Sequence, residues 1–280
     1  MRTIHIEKII DAVEKLCMDA NYNLNDDIYN ALVKAYKNEE SEKGRWVLDN
    51  IIKNSKIAKE EKMAICQDTG MAVVFLEIGQ DVNITGGSLT DAINEGVRRG
   101  YKNGYLRCSV VNHPLKRVNT NDNTPAVIHT EVVPGDRLKI VVAPKGFGSE
   151  NMSGLAMLKP SDGAEGVIDF VVKTVDKAGP NPCPPVIVGV GIGGTMEKAA
   201  CLSKKALLRP VGSESDDPDM AEIERELKKR INKLGIGPAG IGGNTTALAV
   251  HVEYFPTHIA SLPVAVNIGC HATRHASCEL

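Results

Sequence analysis

The sequence predicts a mixed α+β fold of the α/β class, with a helical N-terminal flank over residues 1–62 and a mixed sheet with packed helices over residues 63–280. Three observations carry this. The first sixty residues place apolar side chains at the three- and four-residue spacing of buried helix faces. From Ala72 onward, strand-length apolar runs alternate with helical patterns. No low-complexity linker separates them, so 63–280 reads as one compact region.

The elements follow in order. Ile6, Ile9, Ile10, Val13, Leu16 and Cys17 form one helical stripe; Asn25 or Asp26 caps a second helix carrying Ile28, Ala31, Leu32 and Ala35. Residues 41–62 continue with Trp46, Leu48, Ile51, Ile52 and Ile57 as apolar members. Next come a strand at 72–78, a helix at 89–99 and a strand at 105–111. Residues 126–133 and 137–143, joined by Pro134-Gly135-Asp136, predict a hairpin. Helices at 163–177, 196–208 and 219–234 and strands at 186–192, 245–252 and 262–268 complete the pattern.

Composition narrows the class of function. With 42% hydrophobic residues in 280, the chain can bury a substantial core. A net charge of −2 without a basic run gives no footprint for nucleic acid, and no segment has the apolar length of a signal peptide or membrane span. Seven irregularly spaced cysteines in a chain this long point to reduced thiols or metal ligation, hence to a soluble protein in the cytoplasm.

Cysteine is ordinarily a small buried residue, and Cys17, Cys108, Cys201 and Cys278 sit in contexts that suit that role. Cys66, Cys183 and Cys270 differ, standing alone in Gly- and Pro-punctuated loops. Prolines 180, 182, 184 and 185 stiffen the backbone around Cys183, and Gly269 permits close approach beside Cys270. Helices beginning after Cys66 or Cys270 would direct amide ends at a thiolate. Three such thiols suggest one iron–sulfur cluster with an iron left open to substrate, although spacings of 117 and 87 residues carry no signature of their own.

Gly189-Val190-Gly191-Ile192-Gly193-Gly194 satisfies the dinucleotide fingerprint G-x-G-x-x-G, which would suit a nicotinamide oxidoreductase. The loop about twenty residues onward replaces the second strand and acid that a nucleotide-binding unit needs. Close strand–helix packing accounts better for these glycines. A similar stretch at 237–246 is not taken as a repeat.

Cys-Gln-Asp-Thr-Gly (66–70), Arg-Val-Asn-Thr-Asn-Asp-Asn-Thr-Pro-Ala-Val-Ile-His (117–129), Lys-Gly-Phe-Gly-Ser-Glu-Asn-Met-Ser (145–153), Cys-Pro-Pro with Gly-Ile-Gly-Gly-Thr-Met-Glu-Lys-Ala (183–199) and Asn-Ile-Gly-Cys-His-Ala-Thr-Arg-His-Ala (267–276) occur in this order. Together they resemble the alpha region of the iron-sulfur hydro-lyases, comprising class I fumarate hydratase and L(+)-tartrate dehydratase, over nearly the whole chain.

The resemblance implies a [4Fe-4S] cluster held by Cys66, Cys183 and Cys270, whose open iron acts as a Lewis acid. It implies Asp68 as the acid on the leaving hydroxyl, assisted by His258. It makes Gln67, Arg107 and the Gly148 amide contacts to a C4 dicarboxylate, with Lys145 and Arg274 of lower weight. Asp68 could equally close an Asx-turn, and Arg107 a strand-end ion pair. The remaining histidines read as structural or surface residues.

The expectation is therefore the alpha subunit of a fumarate hydratase, with the tartrate enzyme as alternative and a non-catalytic cluster scaffold as a remoter one. A beta subunit would supply the catalytic base, a threonine, and further contacts in an α2β2 assembly.

Overall fold

A computed structural model describes residues 2–280. In chain order the elements are β1 (Arg2–His5), α1 (Ile6–Tyr22), α2 (Asp26–Asn38), α3 (Glu42–Glu61), β2 (Met71–Gly79), β3 (Val82–Thr85) and α4 (Leu89–Asn103). They continue with β4 (Val127–Val133), β5 (Leu138–Lys145), α5 (Phe147–Glu150), β6 (Gly154–Leu158), α6 (Gly163–Ala178), β7 (Val186–Gly193) and α7 (Met196–Ala206). The last are α8 (Pro218–Lys233), β8 (Ala247–Phe255), β9 (Leu262–Gly269) and β10 (Ala276–Glu279). The mixed α/β class is as the sequence predicts.

The chain groups into two compact units that interleave along the sequence. Among the described residues, the first comprises 2–24, 55–147 and 274–280; the second comprises 25–54 and 148–273. The boundary at residue 62 suggested by the sequence falls inside the first unit.

The first unit is built on a sheet ordered β10-β5-β2-β4, with a separate parallel pair, β1 and β3. Five consecutive residues of β2 are buried, as a central strand covered on both faces requires. Helix α1 buries Ile9, Ile10, Val13, Leu16 and Cys17 against α4 and β5. The crossing with α4 is close because Gly96 and Gly100 face Val13 and Cys17, where a Cβ would lie 2.6 and 2.7 Å from theirs. Cys17 is core, as expected, and burial pushes its thiol up to about 12.

The second unit is a sheet ordered β6-β9-β7-β8, with β7 parallel to β8 and antiparallel to β9. Every residue of β7 is buried. Val186, Val188, Val190 and Ile192 pack on the side of α6 and α8. Gly189 and Gly191 meet α7, where a Cβ would overlap the carbonyl oxygens of Ser203 and Ala199. The fingerprint glycines thus serve strand–helix contact.

Several expectations fail for identifiable reasons. Residues 105–111 form no strand. Their main-chain groups bond to side chains instead: Asn123 Oδ1 accepts from Ser109 and Val110, Thr69 Oγ1 donates to the Arg107 carbonyl and Asn119 Nδ2 to that of Cys108. The expected hairpin is not formed, because β2 lies between β4 and β5. The intended turn folds across the end of β2, accepting Gln80 and Asp81 N–H groups at Val133 and Gly135. Along α3, Trp46 and Ile57 are exposed although Leu48 and Ile52 are buried. No helix starts after Cys66 or Cys270; both lead into irregular turns. Strands β1, β3, β6 and β10 lie outside the predicted set. Among the described residues no helix is long and apolar enough to cross a membrane.

Candidate functional site

In the first unit, the loop Cys66–Gly70 precedes β2 and is held by side chains from distant positions. Cys66 is partly buried, with Sγ 3.3 Å from Gln67 Oε1, and Gln67 is exposed. Asp68 accepts the Gly70 N–H at Oδ1 (3.0 Å), closing the Asx-turn anticipated as its ordinary role. Its Oδ2 accepts the Phe147 N–H at 2.8 Å. Gly70 has φ +73, and a Cβ there would stand 2.7 Å from the Lys145 nitrogen, so glycine is required.

Behind this loop lies a buried polar network. The Tyr101 hydroxyl reaches the carbonyls of Thr69 (2.7 Å) and Gly70 (3.1 Å), and Asn123 Nδ2 also donates to Gly70 (3.1 Å). Burial holds the Tyr101 phenol far up, in its donor form. Arg274, 3% exposed, donates from Nη2 to the Asp68 carbonyl (2.8 Å) and to Asn21 Oδ1 (3.0 Å). Asn21 in turn donates to the Cys17 carbonyl. Arg274, considered above as a substrate contact, here positions the loop. Lys145 is buried, with Nζ 3.2 Å from the Gly146 carbonyl.

Arg107 leaves this network at its side chain. Its carbonyl is tied to Thr69 Oγ1 at 2.7 Å, while the exposed guanidinium makes no ion pair among the described residues. The strand-end salt bridge weighed from the sequence is not formed. A fixed main chain carrying a solvent-facing planar cation suits an incoming carboxylate.

In the second unit, the loops that carry two of the three singled-out thiols come together. The antiparallel pairing of β7 with β9 sets Ile187 opposite Gly269, which brings the segment before β7 to the residue after β9. Those segments carry Cys183 and Cys270. The Cys183 carbonyl accepts the His271 main-chain N–H (3.3 Å) and lies 2.9 Å from its Nδ1, which therefore carries the proton. The Cys270 carbonyl accepts from Thr273 N–H (2.9 Å) and Oγ1 (2.7 Å).

Cys183 itself has φ +54, a left-handed conformation that costs a non-glycine residue about 1–2 kcal/mol. Strain of this kind concentrates at functional positions. The glycine stretch at 237–243 supports it: Ala239 N–H donates to the Pro184 carbonyl (2.8 Å), and Gly240, φ +76, packs where a Cβ would overlap Pro180. The far side of that stretch is clamped by buried Glu39, which accepts the Asn244 N–H at 3.0 Å.

Gly148 is exposed in the short helix α5, and a Cβ there would meet nothing nearer than the Asn181 carbonyl at 3.8 Å. The same loop carries Glu150, which accepts Lys204 Nζ (2.6 Å) and Asn267 Nδ2 (3.0 Å), while Ser153 Oγ accepts from Ile268 (3.2 Å). The Gly148 loop is thereby fastened to the strand that delivers Cys270.

His258 stands elsewhere in this unit. It occupies the exposed turn between β8 and β9, with Nδ1 accepting Ala260 N–H at 3.2 Å. His258 precedes β9 and Cys270 follows it. Eight residues of strand separate them, roughly 25 Å.

The thiols fit soft-metal ligation: none is in a disulfide, and each of the three lies at least partly exposed on a braced loop. Among the described residues no three His, Cys, Asp or Glu side chains stand grouped as a ready metal site. Sequence reasoning missed Tyr101, Asn21, Glu39 and His271 as positioning groups. Asn123, His271 and Arg274 lay within quoted motifs; Tyr101, Asn21 and Glu39 carried no local signal.

Comparison with known proteins bears on these loops. The sequence model of the family described as fumarate hydratase (Fumerase) matches residues 10–279. A protein of Methanocaldococcus jannaschii with the provisional description L(+)-tartrate dehydratase subunit alpha is 46% identical over 275 residues, covering 96% of each chain. The L(+)-tartrate dehydratase subunit alpha of Escherichia coli strain UTI89 is 34% identical over 276 residues, covering 97% of this chain and 90% of its own length. That of strain K12 is 33% identical over the same span. With the match running through every loop described above, the chain belongs to the fumarate hydratase (Fumerase) family of hydro-lyases.

Proposed function

We propose that the chain is the alpha subunit of a cytoplasmic class I fumarate hydratase, which adds water reversibly to fumarate to give malate. The observation that carries this reading is the joining of the Cys183 and Cys270 loops through His271, in a chain of this family. Cys66 would be the third ligand to a [4Fe-4S] cluster. When bound, the cluster supplies a Lewis acid at an iron that no cysteine occupies.

The chain's own groups provide the rest. Asp68 keeps a second lone pair on each carboxylate oxygen beyond the amide it accepts, so it can hold a proton and deliver it to the departing hydroxyl without releasing Gly70 or Phe147. Arg107 and Gln67 would grip and orient the substrate carboxylates, and the exposed Gly148 amide would donate to one of them. His258 serves this reading from a second copy of the chain, since β9 holds it away from Cys270 of its own. A beta subunit, as the description of the relatives as alpha subunits supports, would contribute the base, in an α2β2 assembly.

The names of those relatives favour a second reading, L(+)-tartrate as substrate. A site that bonds the extra hydroxyl should discriminate strongly. The test is anaerobic reconstitution with iron and sulfide, with and without the partner chain, assaying malate and L-tartrate. Turnover only with the partner, and loss of iron in Cys66→Ser, Cys183→Ser or Cys270→Ser, is expected. Full iron uptake by the Cys183→Ser chain would end the cluster assignment. Mixing Asp68→Asn with His258→Ala chains should restore activity that neither has alone.

A further inference from the structure

The second unit contains a cavity of about 490 Å³ between one face of α2 and the C-terminal half of α8. Along α2 the lining positions recur every three or four residues, so one helix face is committed to it. Small residues on that face, Ala31 and Ala35, leave the space open. We propose that this cavity binds a small doubly charged anion, a phosphate or a compact dicarboxylate, between Lys34 and Lys228.

Charge is the first argument. Lys34 and Lys228 enter the same cavity from different helices, and among the described residues neither forms an ion pair. Three other α8 cations are matched, Arg225 with Glu214, Lys229 with Glu226, and Arg230 with Glu165 and Glu226, while Lys233 at the helix end forms no ion pair among the described residues. The one carboxylate lining the cavity, Asp27, is engaged by the Val211 N–H at 2.6 Å. Two like charges therefore face one space in which Asp27 is the single lining carboxylate.

The second argument is chemical complementarity. Asn30 and Asn38, each about one turn from Lys34 on the same face, add amide donors that can bond anion oxygens. A dianion between two ammonium groups removes their mutual repulsion and gains charge-assisted hydrogen bonds. That repulsion has a measurable trace, because partial desolvation and then the charge of Lys34 lower the Lys228 ammonium from its ordinary value. The cavity is large enough for a small metabolite. The inference is independent of the cysteine loops and of the proposed substrate.

Pulse acylation of lysines on the full chain, followed by peptide mapping, tests it without reading turnover. Lys228 should label faster than its ion-paired neighbour Lys229. Inorganic phosphate at about 10 mM should slow labelling of Lys34 and Lys228 by roughly tenfold, against chloride of equal ionic strength, as expected for a Kd near 1 mM. Lys229 should be unaffected. A parallel arm with succinate distinguishes the dicarboxylate from the phosphate. In Lys34→Gln, an exposed helix position, protection of Lys228 should vanish. Equal protection of Lys229, no protection by either anion, or full protection persisting in Lys34→Gln would overturn the proposal.

Discussion

The loop carrying Cys66 and the loops carrying Cys183 and Cys270 are held rigid by different means. The first is braced from behind by side chains: Tyr101, Asn123 and Arg274 take up the carbonyls of Asp68, Thr69 and Gly70. The second pair relies more on main chain, with Ala239 on Pro184, His271 on Cys183 and Gly240 packed against Pro180, and local side chains of His271 and Thr273 adding to it. The difference teaches that a candidate ligand loop need not be fixed by its own residues. Removing a polar group should disturb one loop; adding a methyl group should disturb the other.

The largest effect is expected from Gly240→Val, which adds a left-handed penalty of about 1–2 kcal/mol to an overlap with Pro180 worth about 1–3 kcal/mol. Denaturant unfolding should register a loss of about 4 kcal/mol. Thiol alkylation of the metal-free chain should quicken at Cys183 and hold steady at Cys66. Next comes Arg274→Met, which leaves the Asp68 carbonyl and Asn21 Oδ1 buried without their donor, a loss of about 3 kcal/mol. Here alkylation should quicken at Cys66 instead. Identical reactivity changes at both cysteines in either variant would erase the contrast.

The smallest effect is pH-dependent and belongs to the second unit. His251 is 1% exposed, and burial followed by the nearby Arg209 charge lowers it to about 4 from its ordinary 6.5. The unfolded chain binds this proton first on acidification, so the stabilisation is complete above pH 6.5 and declines as pH falls toward 4. Between pH 7 and pH 5 this amounts to about 2 kcal/mol. His251→Leu should remove that part of the pH slope, measured by paired denaturation curves. An unchanged slope would show that the ring is protonated inside the fold.

Much of this architecture was legible from periodicity. The stripe from Ile9 to Cys17 and the unbroken apolar run of β7 are local patterns, and both are buried as they require. Residues 105–111 show the limit. Their alternation suits a strand, yet Asn123 and Thr69 satisfy the same amides and carbonyls from elsewhere in the chain. The β4–β5 pairing failed similarly, because a turn sequence cannot reveal that a third strand will enter between its arms.

The site shows a parallel division. Cysteines in stiff loops, and the motifs around them, mark Cys183 and Cys270 as neighbours-to-be, while nothing local identifies Tyr101 or Asn21 as their counterparts' supports in the first unit. Glu39 was equally hidden, since its partners at Gly243 and Asn244 are some two hundred residues away. His258 shows that nearness in sequence is not nearness in the fold: twelve residues before Cys270, it stands beyond the opposite end of β9.

The reach of Arg274 to Asp68 spans 206 residues. During synthesis the Cys66 loop therefore emerges long before the cation that seats it, and until residue 274 has been translated the Asp68 carbonyl has only solvent or makeshift partners. At a rate of about 5–20 residues per second, that delay is on the order of ten seconds or more. The Cys66 loop is thus loosely held throughout that interval, and any ligand that needs it seated must wait for the rest of the chain.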